Sequence, residues 1–458
     1  MVKDKLKILR RLLFLSNIHI WYFKYREHMR YIESLKTQQP IDIIFLLVDH
    51  FEPAKKDKVK GIEKVNDWCN NYKKIAQNFV DSDGIHPQHT WFYRYDYPNF
   101  LILNVLSEYV FEEYGEIEFH LHHGFDTSKS FREKIRNGVD WFNSSGAMIT
   151  AEEIPKKQFA YIAGNWALDN GRKDARFSGV NDEIKILKEC NCYADFTFPS
   201  IETRAQPRMV NSIYYAEDNP RKPKSYNKGV NLKIGRNPSG DLLIFTGPVY
   251  IDWRNNYIET ASIETFALHE MRRIKYWLNA NIHVKGRPEW LFVKLHTHGM
   301  QSSNIYKDYD NFYQLCSDLD KEIKINSGYR LHYVTAREAY NIAKAAEAGY
   351  HGNPNDYRNF LIKEPINKKI YCNQPYSLSK YSSNEIELHI KNKTNSLTKI
   401  LFKEMPLKKI EGSNIEKIIL FNENALYLDI SGSDVCEILF RNNKVIKLKL
   451  PFKGEVAI

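Results

Sequence analysis

The chain has 458 residues and an ordinary hydrophobic share of 43%, enough for one large domain with a sizeable core and an accessory one. Its formal charge is +10, but the basic residues are spread along the chain with no arginine-rich arm or nucleic-acid motif, so nucleic acid is not an expected partner. Six cysteines are scattered, and the one close pair, Cys190-Asn-Cys192, has neither zinc-ribbon nor redox spacing, which points to a reducing compartment.

Residues 1–38 form a first segment. Leu6, Leu9, Leu13, Ile20, Trp21, Phe23 and Tyr25 recur at helical spacing among lysines and arginines over 3–36. The apolar run Leu12–Leu15 is too short to span a bilayer, and no small-residue cleavage site marks a signal peptide. The expected location is therefore cytoplasmic, with or without membrane association. Two readings stay open for the segment: a helix packed on the following domain, or a basic amphipathic helix making peripheral contact with a membrane.

From residue 41 the pattern alternates between strand and helix. Ile41–Val48 reads as a buried strand ending at Asp49-His50, and 62–80 as a polar helix. Thr90–Tyr93 is the second strand, Phe100–Tyr114 a helix, and 116–121 the third strand. After a helix at 130–143, Phe159–Ile162 is the fourth strand. A helix at 179–190 leads to the fifth, Tyr193–Phe198. Residues 200–240 show little periodicity and suggest a long functional loop. Leu242–Thr246, a helix over Ala261–Leu278, Trp290–Leu295, a helix over 309–323, Tyr329–Val334 and a helix over 335–348 complete the series.

This alternation predicts an α/β fold over 39–362, a closed parallel (β/α) barrel of seven or eight strands. An open doubly wound sheet is the alternative, but no glycine-rich dinucleotide fingerprint accompanies it. Beyond 362 the period shortens. Segments at 385–390, 418–421, 425–430, 436–440 and 445–450 alternate, predicting a small antiparallel β domain over 363–458 with an accessory role.

Unusual polar residues follow the predicted strands: Asp49 and His50 after the first, His120, His122 and His123 after the third, Asn165 and Trp166 after the fourth, His296 and His298 after the seventh. In a parallel barrel these ends share one rim, where active sites of that architecture lie. Imidazoles converging at strand ends suit zinc or a similar divalent metal.

Taken together, Leu47-Val-Asp-His50, Glu116-Ile-Glu-Phe-His120, Phe196-Thr-Phe-Pro199 and Phe292-Val-Lys-Leu-His296 resemble, in order and placement, the motifs of the polysaccharide deacetylases of carbohydrate esterase family four. The resemblance covers roughly 41–345 and implies a distorted (β/α) barrel and metal-dependent deacetylation of an N- or O-acetylated sugar or polysaccharide. It implies Asp49 as general base, His50, His120 and one or both of His122 and His123 as metal ligands, and His296 or His298 as the acid. Pro199 would lie on the substrate groove, and Asn165, Trp166, Asp169 and Arg204 are further candidates for sugar contact. Two departures stand out: a histidine occupies the metal-binding acid's place at His50, and four residues after His120 lies Gly124 rather than a histidine. The set would favour zinc over magnesium. Alternatively Asp49 is itself a ligand and another group is the base.

Three other readings compete. They are another metal-dependent hydrolase on the same barrel, a glycosidase drawing two carboxylates from Asp49, Glu52, Asp126 and Asp169, and a glycan-binding protein without turnover.

Overall fold

The computed structural model describes residues 2–35, 40–53, 58–172, 175–381, 385–391, 398–403, 409–411, 415–420, 435–440 and 445–449. The chain divides into two compact units, one of Met1–Pro98, Tyr114–Arg136 and Phe159–Leu361, the other of Asn99–Glu113, Asn137–Gln158 and Ile362–Ile458.

The first unit opens with α1 (Val2–Glu33), then β1 (Ile41–Phe51), α2 (Lys58–Ala76) and β2 (His89–Arg94). Past α3 (Phe100–Phe111), which belongs to the second unit, come β3 (Gly115–Leu121), α4 (Ser128–Phe142), whose residues from Asn137 on belong to the second unit, β4 (Phe159–Ala163), α5 (Glu183–Glu189) and β5 (Cys192–Asp195). The strands β6 (Ile213–Ala216), β7 (Val230–Asn231), β8 (Leu242–Phe245), β9 (Tyr250–Asp252) and β10 (Tyr257–Glu259) follow. The unit then runs through α6 (Arg272–Ala280), β11 (Trp290–Thr297), α7 (Asn311–Ile325), β12 (Tyr329–Tyr333) and α8 (Ala336–Glu347).

One large sheet runs β11-β1-β2-β3-β4-β5-β8-β6-β7, with β12 also on β1. The ladders from β11 through β8 are parallel, while β6 is antiparallel to both β8 and β7. The fold is thus α/β with a mostly parallel central sheet. Strand pairing does not run from β8 back to β11 among the described residues. The strands of this sheet are buried along nearly their whole length on both faces, as in a sheet covered on both sides.

Three segments differ from the sequence reading. The stretch 200–240 is not structureless, because β6 and β7 lie within it. The helix expected over 261–278 begins only at Arg272. Before it, Glu259 and Arg273 form a fully buried bidentate pair at 2.7 and 2.8 Å, and Arg273 also donates to the carbonyls of Ser262 and Ala267. Those bonds hold 259–267 in an irregular path, and Ala261–Ile263 bond to β11 at His296. Finally, β1 runs three residues beyond its expected end, through Phe51.

The second half of α1 is docked on the first unit. Trp21 and Tyr25 are buried with Ile201, Val210, Val249 and Ile251. Asn17 donates to the Glu202 carbonyl at 3.1 Å, and His28 Nε2 lies 2.7 Å from the Ala280 carbonyl. No helix of the described residues is long and apolar enough to cross a membrane.

In the second unit β13 (Ile370–Cys372), β14 (Tyr376–Tyr381), β15 (Glu385–Ile390), β16 (Thr398–Lys403), β17 (Lys409–Glu411), β18 (Ile415–Leu420), β19 (Val435–Phe440) and β20 (Val445–Lys449) form two antiparallel sheets, β13-β16-β19-β18 and β14-β15-β20-β17. Ile370, Tyr376, Ile386, Leu388, Ile400 and Phe402 lie in its core. The strand expected at 425–430 lies outside the described residues.

Removing one partner of a buried ion pair strands the other charge, at a cost of about 3–5 kcal/mol. Arg273→Leu should therefore lower the unfolding free energy by about that amount in urea denaturation. A loss below about 1 kcal/mol would mean that 259–267 is held by other contacts.

Candidate metal centre

Alternate residues of an extended strand share a face, and residues aligned in a parallel ladder share it too. The register aligns Val48 with His296, His50 with Phe92, and Arg94 with His120. One face of the sheet therefore receives His50 and Glu52 from β1 and its extension, Arg94 from β2, His120 and His122 from β3, and His296 from β11.

On that face Glu52, His120 and His122 form a compact trio whose potential ligand atoms all lie within 4.8 Å of one another. Glu52 Oε1 is 3.4 Å from His120 Nε2 and 3.3 Å from His122 Nε2. Tetrahedral zinc, with bonds of about 2.0–2.2 Å, separates its ligand atoms by about 3.3 Å, so these spacings fit. The opposite ring nitrogens are also occupied: His120 Nδ1 meets the Ile162 carbonyl at 2.9 Å, and His122 Nδ1 meets Asp96 Oδ1 at 3.3 Å. A carbonyl or carboxylate can only accept, so each Nδ1 carries the hydrogen and each Nε2 presents its lone pair to Glu52. A lone pair facing a carboxylate is repulsive unless a cation or a proton lies between them.

Around the trio, Arg94 donates to Glu52 Oε2 at 2.8 Å and grips Asp96 with two nitrogens, fixing both acids. Gly164, just after β4, lies so near that a Cβ there would stand 2.6 Å from His122 Cδ2. Burial would raise the Glu52 pKa, but the neighbouring His120 and His122 outweigh it and lower it well below the usual carboxylate range. Burial and the neighbouring His122 lower His120. For His122 burial is outweighed by Asp96 and Glu52, which raise it.

Beside the trio lies a second group. The His50 ring sits 5.2 Å from His120, 4.8 Å from His298 in a stacked pair, 6.2 Å from His296 and 5.7 Å from Trp166. His50 Nε2 is buried without a hydrogen-bond partner. Burial, then repulsion from His298, His120 and His296, keeps this imidazole neutral. His298 is held by Glu264, which accepts from its backbone N at 3.0 Å and pairs with its Nδ1 at 2.7 Å. Asn304, fully buried, in turn holds Glu264 and the His298 carbonyl. Burial lowers the His298 pKa, but Glu264, with Glu52 and Asp49 farther off, outweighs it and raises it.

Several sequence candidates fall elsewhere. Asp49 takes the other face of β1, beside Trp91 and Thr297 in register. Its oxygens meet His89 Nε2 at 2.9 Å and the Gly299 N–H at 2.7 Å, with no solvent exposure. Only glycine fits at 299, since a Cβ would stand 2.0 Å from Asp49 Oδ2. Asp49 is thus a buried clamp on the chain next to His298, correcting its expected place as base or ligand. His123 points away from His122 and pairs with Asp126 at 2.9 Å and Glu183 at 3.4 Å, stacked on Phe131. It does not join the trio.

Asp169 is buried, accepting from the Ser225 N–H at 2.5 Å, and burial pushes its carboxyl up to about 9. It latches the 225 turn from inside the fold. Pro199 is buried and packs on Gly247, and Arg204 is exposed. Asn165 and Trp166 both have left-handed backbone, and Trp166 alone of these candidates reaches the histidine cluster, 5.9 Å from His298.

The sequence reading did not assign Glu52 to the metal, nor single out Asp96, Arg94 or Glu264. A signal for Glu52 was present: His50-Phe-Glu52 repeats the two-residue spacing of His120-Leu-His122. Comparison of the chain with protein-family models and with curated proteins finds no match.

His120→Ala, His122→Ala and Glu52→Ala should each lose most bound metal in elemental analysis, whereas Asp49→Asn should keep it. Full stoichiometry in any of the first three would break the trio. His123 gives a separate pH test. Burial lowers its pKa, but Glu183 and Asp126 outweigh this and raise it to about 9. A group raised on folding stabilises most below its unfolded value of about 6.5, and that stability is lost as pH climbs through about 9. His123→Gln should flatten the fall in melting temperature across that window.

Proposed function

We propose that the chain is a metal-dependent hydrolase, and within that class a deacetylase of N- or O-acetylated sugars or polysaccharides. The observation that carries the hydrolase reading is the trio of two imidazoles and one carboxylate, each imidazole oriented by an acceptor on its far nitrogen. The sugar substrate rests on the motif resemblance and on Trp166 beside the cluster. The proposed architecture is a distorted barrel, supported by the parallel order of the strands and by the bonds of Ala261–Ile263 along β11.

Glu52, His120 and His122 would hold a divalent cation, with zinc the best match to the donors. Bound there, the cation would supply Lewis acidity, polarising an acyl carbonyl and bringing the pKa of water down toward about 7.

The proton-carrying role passes from Asp49 to His298. Its Nδ1–H is pinned by Glu264, so Nε2 is left to take a proton from the attacking water and return it to the leaving amine or alcohol. Glu264 fixes the tautomer and favours the imidazolium formed between the two transfers. His50, neutral and stacked on His298, is placed to hydrogen-bond a polar substrate group through Nε2. His296 lies behind it, its backbone bonded to Ala261.

Acetate release from acetylated chitooligosaccharides, abolished by chelator and restored by zinc, tests this. His298→Ala should retain the metal and lose about 10²–10⁴-fold in turnover, the span typical of general acid–base groups. Glu264→Gln should retain activity with a shifted pH profile. Iron as the native metal with oxygen-dependent turnover, or phosphate but not acetate release from model esters, would overturn the deacetylase reading.

A further inference from the structure

Resting on the proposed reading of the trio as the metal site of a sugar-directed hydrolase, we infer that the rim beside it carries a row of aromatic rings that receives a chain of linked sugars. The substrate is then an oligomer or polymer rather than a single sugar. Tyr97, Phe125 and Trp166 form the row.

The strands β2, β3 and β4 are neighbours in the sheet and end level with one another, Arg94 opposite His120 and Leu121 opposite Ala163. Each end is followed within three or four residues by an aromatic side chain: Tyr97 after Arg94, Phe125 after Leu121, Trp166 after Ala163. Neighbouring strands lie about 5 Å apart, so the three loop roots span about 10 Å. All three loops adjoin the trio. Tyr97 follows Asp96, the partner of His122. Phe125 is three residues past His122. Trp166 is two past Gly164, which the His122 ring approaches so closely that no Cβ fits.

Folding alone does not account for these rings. Phe125 is 74% exposed and Tyr97 48%. Phe125 and Trp166 have φ of 54° and 53°, in the left-handed region that bulky side chains avoid. Strain of this kind persists only where the surroundings impose it, and it gathers at ligand sites. The surroundings here are well tied. The Phe125 N–H donates to the Ala175 carbonyl and the Asp126 N–H to the Ser178 carbonyl, each at 3.0 Å. Asp126 also pairs with the buried His123 at 2.9 Å. The His123 pair thus fixes the turn that holds Phe125 out. The Arg94 guanidinium lies 4.8 Å from the centre of the Tyr97 ring, and Trp166 rests against His50 and His298.

A pyranose ring presents C–H bonds on its faces and hydroxyls around its edge. Its face packs on an aromatic ring while its hydroxyls stay in water. A row at strand spacing suits linked sugars, because one chain touches several rings and each contact after the first is intramolecular.

The test compares N-acetylglucosamine with its β-1,4-linked tetramer. Both are titrated calorimetrically into the metal-free full chain and assayed for acetate release with zinc. The tetramer should bind about tenfold tighter or more, and Phe125→Gly should remove about tenfold of its affinity while leaving the monomer unchanged. Glycine tolerates this backbone, so the variant should keep its melting temperature and its metal. Phe125→Tyr, which keeps a ring, should retain tetramer binding. Equal affinity for the two sugars, absence of binding included, would overturn the inference, as would tetramer binding that Phe125→Gly leaves intact. So would a dimer that Phe125→Gly dissolves, since a second copy would then cover the row. Tetramer binding without acetate release keeps the row and removes the hydrolase. Acetate release at the same kcat/KM from monomer and tetramer keeps the hydrolase and removes the row.

Discussion

Two imidazoles, each with an acceptor at both nitrogens, set the terms for everything around them. His120 lies between the Ile162 carbonyl and Glu52, and His122 between Asp96 and the same Glu52 oxygen. Each contact with Glu52 needs a proton or a cation between the imidazole Nε2 and the carboxylate. Two imidazolium rings 4.6 Å apart would repel by about 4 kcal/mol at an effective dielectric of about 20. Glu52, Asp96 and Arg94 together carry one net negative charge. Two protons or one divalent ion would bring the group to the same total, so under the proposed reading metal and protons would compete for the same place and metal uptake would release protons.

The trio forms because neighbouring parallel strands bring their ends together. β1, β2, β3 and β4 contribute in turn Glu52, Arg94, the two histidines and the Ile162 carbonyl, each on the strand beside the last. Arg94 is central to this order, since it ties the acid that faces the histidines to the acid behind them. A lysine could neutralise these charges but could not span both carboxylates with a planar fork.

Much of this was legible in the sequence. Alternation of apolar runs gave the parallel strands, and the placement of histidines after strands three and seven located the face. What was not legible followed from one boundary. Ending the first strand at Val48 made Asp49 and His50 equivalent residues of a loop. Continuing it through Phe51 restores strict alternation, which turns Asp49 outward to His89 and brings Glu52 inward. The resemblance to the deacetylase motif pulled the same way, because that motif reads two adjacent residues as base and ligand. The irregular path at 259–267 was hidden for a different reason. It depends on Glu259 meeting Arg273 fourteen residues away, a buried tertiary pair that overrides helical propensity. Glu264, the partner of His298, lies on that path, inside the stretch whose spacing predicts a helix.

In the proposed mechanism, a proton carrier that is a histidine rather than an aspartate changes what the protein around it must do. A carboxylate beside a cation stays ionised at neutral pH without assistance, but it is a weak base there. An imidazole is better matched to neutral pH, yet it works only if one nitrogen is committed and the ring cannot turn. The chain meets both conditions by backbone as much as by side chain. Glu264 takes both the ring Nδ1–H and the main-chain N–H of His298, Asn304 ties Glu264 back to the His298 carbonyl, and Asp49 fixes the next residue through the Gly299 N–H. Under the proposed reading Asp49 would keep a part in the chemistry without touching substrate, because it holds the turn that carries His298.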